Sequence, residues 1–185
     1  MKIQIRHSVF ETNSSTNHTL AIRKPKFADA TRIIREAYSN CFIVLGETPF
    51  KKIEDIVAKS PINIAKLDIK TKLDILYWSA FSNYCVPDAI QFLSNIEKAL
   101  HEVNITVRFT FEKFEEDYYD EGIFSTLSEW LNSKEDILNF LFSDDAWYTC
   151  WCDECCGEPS EEEAKVEDYV YSQPKEEMTI YHERK

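Results

Sequence analysis

Glycine is nearly absent, with three residues in 185. Phosphate-cradling loops, dinucleotide fingerprints and the Gly-x-Ser-x-Gly elbow all need glycine where backbone turns sharply or meets a ligand closely. A chain this poor in glycine excludes them. Positive charge is also scarce, 21 Lys and Arg against 33 Asp and Glu for a net −12, a balance that repels nucleic acid. No stretch approaches the roughly 18 consecutive apolar residues of a membrane span. The opening Met-Lys-Ile-Gln-Ile-Arg-His lacks the apolar centre of a signal peptide. A cytoplasmic chain with reduced thiols is therefore expected, without membrane contact or direct nucleic-acid binding.

What is present is an apolar content of 44%, including 14% aromatic, enough to bury one substantial core. A single domain over residues 1–185 is expected, made of two unlike parts. Residues 1–111 are basic to neutral, with 15 Lys and Arg against 11 Asp and Glu, or +4. Residues 112–185 are acidic and Cys-rich, with 6 against 22, or −16. The acidity thus belongs to the second part, which suits basic protein surfaces as partners.

Hydropathy patterning predicts an α+β fold, a small mixed or antiparallel sheet with several helices. Lys2–His7 and Thr19–Lys24 alternate as strands, and the polar run Glu11–His18 between them reads as the tip of a hairpin. Helices are expected over Ala28–Ser39, Phe50–Lys59 and Leu67–Asn83. Another follows Pro87, with Ile90, Leu93, Ile96, Ala99 and Leu100 as its apolar stripe. Ser125–Asn132 and Ser133–Phe142 read as short helices, the second opened by a Ser133/Asp136 capping box. Cys41–Leu45, Ile105–Phe111 and Met178–His182 read as strands.

Four of the six cysteines, Cys150, Cys152, Cys155 and Cys156, fall within seven residues. Thiols this dense oxidise or capture a soft metal unless the fold commits them. The spacing favours structural zinc in a sulfur-rich tetrahedron, carried by a cysteine loop near the C-terminal side. Cys152 and Cys155 form a Cys-x-x-Cys pair, and Cys150 joins across a Cys-x-Cys step. Adjacent side chains diverge, so Cys156 ligates with strain or yields to an outside residue: His18, Cys85, His101 or Cys41. The alternatives are redox or disulfide chemistry and a metal-free cluster. The spacing matches neither ferredoxin pattern.

Ser14, Ser15 and His18, with Glu11 to orient them, hold the residue types of a nucleophilic site. Without an elbow or oxyanion loop they read better as turn-forming side chains, and no catalytic residue is assigned. Glu112–Glu121 packs six acids into ten residues around aromatic rings. Glu115, Glu116, Asp117, Tyr118 and Tyr119 are the candidate partner-binding residues, with carboxylates to steer and rings to bury.

The run Arg6-His7-Ser8-Val9-Phe10-Glu11-Thr12-Asn13-Ser14-Ser15-Thr16-Asn17-His18 resembles the N-termini of a family of small proteins from phages and prophages of Firmicutes. Those read Arg-x-Gly-Val-Phe-Glu-Thr-Asn-Ser-Ser-Ser/Thr-x-His, so Ser8 stands where the family often has glycine. The resemblance covers these thirteen residues and implies phage origin and a place in the host bacterial cytoplasm. Phage-borne acidic proteins of this size include anti-CRISPR inhibitors, some with a structural metal. The implied function is inhibition of a host defence protein by direct binding, with a type II CRISPR effector nuclease as partner and DNA loading as the blocked step. The alternatives are a Ser/His or metal-dependent enzyme acting on a host molecule, and a structural or regulatory phage protein.

Overall fold

Every side chain from His18 to Ile22 is buried, on both faces of one strand. A strand so placed sits inside a sheet with material on both sides, and the topology bears this out. This computed structural model describes residues 16–24, 34, 41–82, 86–110, 123–152 and 159–184. In chain order its elements are β1 (Thr16–Arg23), β2 (Cys41–Leu45), α1 (Phe50–Val57), β3 (Ile62–Asn63), a 3-10 turn (Ile64–Lys66), α2 (Ile69–Ser82), α3 (Val86–Glu102), β4 (Ile105–Phe109), α4 (Ile123–Trp130), α5 (Lys134–Phe142), β5 (Ala146–Cys152), α6 (Glu161–Ser172) and β6 (Met178–Arg184). The fold is mixed α+β.

Four strands form an antiparallel sheet in the order β3-β5-β1-β6. The expected hairpin between Lys2–His7 and Thr19–Lys24 is corrected by this order. Both edges of β1 are already occupied, by β5 and by β6, along its whole length. His18 is likewise no part of a hairpin tip; it lies within β1. The physical reason is that a strand pairs with whatever covers its apolar residues best, and sequence neighbours carry no priority. The charge division at residue 111 does not separate in space either, since β1 lies between two strands of the acidic part.

One face of the sheet, carrying Leu20, Ile22, Ala146 and Tyr148, joins the main core with the helices. The reverse face places Ala21 against Val170 and Met178, with Trp147, Val166 and Ile180 at its margin. Two parallel strands, β2 and β4, pair separately from Cys41↔Ile105 to Leu45↔Phe109, joined through α1, α2 and α3 as parallel pairs require. Gly46 ends β2 at φ 89°, as its missing Cβ allows. Thr110 N–H donates to Leu45 O at 2.9 Å there, and Tyr77 Oη donates to Thr110 O at 2.6 Å.

The helix expectations hold within a few residues for α1, α2, α3, α4 and α5. The Ser133/Asp136 capping box opens α5, with Ser133 Oγ accepting from Asp136 N–H at 3.1 Å. On α3 the stripe needs one correction: Ile90 is 61% exposed, and Ala89 and Phe92 face the core beside Leu93, Ile96, Ala99 and Leu100. The helix is rotated relative to the simple i, i+3 count because Phe92 offers more area to bury. Of the expected helix Ala28–Ser39 only Ile34 is described, and it is helical. The opening strand Lys2–His7 and the acidic run Glu112–Glu121 lie outside the described residues. No helix among the described residues is long and apolar enough to cross a membrane.

Candidate metal centre

The cysteine run begins inside a strand. Cys150 and Cys152 belong to β5, where a loop was expected, and this corrects the placement of the cluster's first half. Ala-Trp-Tyr-Thr-Cys-Trp-Cys is rich in aromatic and β-branched residues, so the strand signal was present beneath the cysteines. Strand alternation puts positions 148 and 150 on one face, the face turned to the main core. Cys155 and Cys156 lie outside the described residues, which resume at Pro159 just before α6.

The strand register brings one distant ligand type to this end of the sheet. His18 on β1 is the antiparallel partner of Cys150, and Thr16 is the partner of Cys152. Directly paired residues hold their Cβ atoms about 4.5–5.5 Å apart on the same face, so an imidazole and a thiol start from adjacent points. His18 is 1% exposed. Its Nδ1 lies 2.9 Å from Tyr148 Oη, and the two rings stack with centroids 6.2 Å apart. Two of the other three outside candidates stand on other elements. Cys41 pairs with Ile105 in the two-stranded sheet, and His101 is exposed in the last turn of α3. Cys85 lies outside the described residues.

The backbone at this point is held from the opposite edge. Cys150 N–H donates to Ser60 Oγ at 2.8 Å, and Ser60 Oγ donates to Glu163 Oε1 at 2.7 Å. Glu163 Oε2 accepts from Ser160 N–H at 2.9 Å, while Ser160 Oγ caps Glu163 N–H at 3.2 Å. This second capping box starts α6, and its pattern Ser160-x-x-Glu163 is present in the sequence. The chain thus enters the cysteine run from a pinned strand and leaves it into a capped helix. Both flanks are fixed relative to each other through Ser60.

The donor types gathered here suit a soft or borderline ion. A neutral imidazole and thiolates are zinc ligands, and a buried histidine has its ring set by whatever its second nitrogen bonds. Among the described residues no group of three His, Cys, Asp or Glu side chains is assembled for a metal. Of the candidate ligands, His18 and Cys150 are the two that the described residues place opposite each other.

Two other polar clusters escaped sequence reasoning. Asp145, just before β5, accepts from Arg23 Nε at 3.1 Å, Arg23 Nη2 at 2.7 Å, Tyr169 Oη at 2.5 Å and Trp147 Nε1 at 2.9 Å. Burial alone would raise its carboxyl, but donation from Tyr169, Arg23 and Trp147 outweighs that and holds it below the usual carboxylate range. The cluster ties the end of β1 to α6. On α2, Lys72 is 3% exposed and donates to Leu141 O at 2.9 Å. Burial pushes its ammonium down to about 8, against the pull of Asp68.

The remaining candidates are not brought to the centre by anything described. Glu11, Ser14 and Ser15 lie outside the described residues, as do Glu115, Glu116, Asp117, Tyr118 and Tyr119. An acidic and aromatic surface does appear on α6, however. Tyr171 is 58% exposed, three and four residues from Asp168 and Glu167 on one helix face, with Glu161 and Glu162 exposed in the first turn. No family model matches the chain, and no curated protein and no solved structure is significantly similar to it.

Proposed function

We propose that this chain is a phage-encoded, zinc-stabilised binding protein that inhibits a host defence protein by direct contact. The observation that supports it best is the face of α6 on which the exposed Tyr171 sits one turn from Asp168 and Glu167. Rings beside carboxylates fit a basic protein surface, which the rings contact and the charges steer. The same pairing recurs in sequence at Glu115, Glu116, Asp117, Tyr118 and Tyr119. A type II CRISPR effector nuclease is the specific partner we propose. It carries nucleic acid in a positively charged channel, and an acidic protein seated there blocks DNA loading. The resemblance of residues 6–18 to phage proteins supports that choice. Structural zinc held by Cys150, Cys152, Cys155 and Cys156 fixes the sheet end from which α6 departs, and no catalytic step is assigned.

Size-exclusion chromatography of the protein mixed with a type II effector nuclease tests this. A complex should form at low salt and weaken as screening rises, since the attraction is carried by charges at the surface. Reversal of Glu115, Glu116 and Asp117 to Lys should impair the complex and leave the fold intact. Failure to form a complex, with DNA cleavage by the nuclease unaffected, would overturn the assignment of this partner.

A further inference from the structure

We infer that the sheet binds one ordered water on its α6 side, held between Thr149 Oγ1 on β5 and Asn63 Oδ1 on β3. Both atoms are sealed from solvent, and among the described residues neither has a hydrogen-bond partner. Thr149 as a whole is 2% exposed, so its hydroxyl cannot turn to bulk water instead. A buried hydroxyl or amide oxygen without a partner is costly, and protein interiors satisfy such groups with protein atoms or with internal water. The two atoms belong to one place. Asn63 is the antiparallel partner of Trp147, and Thr149 lies two positions on along β5, on the same face. That face is the reverse of the sheet, where Trp147 meets Val166 and Val170 of α6.

Diagonal neighbours of this kind have Cα atoms about 7–8 Å apart and Cβ atoms somewhat closer. A water bonded at about 2.8 Å to each of two oxygens joins them across as much as about 5.5 Å, a span that suits side chains rising from those positions. Protein groups around the pair are committed elsewhere. Trp147 Nε1 donates to Asp145 Oδ1 at 2.9 Å. Ser60 Oγ accepts from Cys150 N–H and donates to Glu163, whose other carboxylate oxygen accepts from Ser160 N–H. Pro61, just before β3, has no N–H to offer, and Val166 and Val170 bring only hydrocarbon. The donor set also names the ligand. An amide oxygen only accepts and a hydroxyl does either, which water matches, whereas a divalent cation draws on free carboxylates and Glu163 has both oxygens bonded.

Magnetic relaxation dispersion of the water nuclei in a solution of the full chain counts the waters held inside it. Thr149→Val keeps the side-chain shape and removes the hydroxyl, so it should lower that count by one and lower the melting temperature. Asn63→Leu should release the same water, and the double variant should release no more than either alone. Its melting temperature should fall by less than the two single losses added, because both substitutions act on one bridge. Thr149→Ser keeps the hydroxyl and should keep the water, whatever the missing methyl does to stability. A count unchanged by Thr149→Val would overturn the inference. So would a melting temperature that rises in that variant, since valine relieves a hydroxyl that has no water on it. Two waters lost in the double variant, one for each substitution, would overturn the shared bridge. If Thr149→Val does not fold, Asn63→Leu decides alone, and an unchanged count there refutes the site.

Discussion

Lys72 is the residue whose replacement can be worked through most fully. Its amine is buried on α2 and donates to the carbonyl of Leu141, near the end of α5, where carbonyls lack helical partners. A cation is favoured at a helix C-terminus, so the lysine serves as a cap from a neighbouring helix. The burden is desolvation, which lowers its pKa from 10.5 to about 8. At about 1.36 kcal/mol per pH unit that drop corresponds to about 3 kcal/mol, and to about 2 kcal/mol once water near the amine is allowed for. Between pH 8 and 10.5 the unfolded chain binds more protons at this site than the folded one, so stability rises with pH through that window. Below pH 8 the full penalty is present.

Lys72→Met removes both the penalty and the bond to Leu141, the latter worth about 1 kcal/mol. The variant should therefore be more stable by about 1 kcal/mol at pH 7, and less stable by about 1 kcal/mol above pH 10.5. Urea unfolding followed by tryptophan fluorescence at pH 7, 9 and 10.5 measures this. The difference between the two proteins is the informative quantity, because other lysines and tyrosines titrate alike in both. A difference that stays constant with pH would refute the account of a buried, destabilising ammonium.

Gly46→Ala should cost more than about 1 kcal/mol, because φ is positive there and a Cβ would strike the Thr110 carbonyl and stand 2.8 Å from Tyr77 Cζ; thermal melting reads the loss. Asp145→Asn should cost about 1.5–3 kcal/mol through weakened donation from Arg23, Tyr169 and Trp147. The carboxyl's folded pKa is depressed, so its contribution is complete above the unfolded value of about 3.9 and lost as pH falls through the folded one. An acid titration of stability should be shallower in the variant, and equal slopes would contradict the carboxylate's role. The purified protein should hold about one zinc per chain, and chelation should lower its melting temperature. Cys152→Ser and Cys155→Ser should lower it most, and elemental analysis finding no metal would dismiss the site.

What was legible in the sequence is what short stretches of chain decide for themselves. The Ser133/Asp136 box begins α5 because its two hydrogen bonds close within four residues. The apolar spacing of Leu73, Leu76, Tyr77 and Ala80 buries all four, and Gly46 ends β2 through its own φ. The density of cysteines from Cys150 to Cys156 proposed a soft-metal ligand set before any fold was known, since that chemistry depends on residue types and spacing. Strand partners are settled by different physics. β1 could offer its edges to any strand that covers Leu20 and Ile22, and only the assembled core selected β5 and β6 over the opening segment. That selection put His18 opposite Cys150, across 132 positions of chain. It likewise placed Lys72 beside the end of α5 and Ser60 between Cys150 and Glu163. Each of these contacts joins groups whose neighbourhood exists only after the long loops between them close, so no local pattern records them.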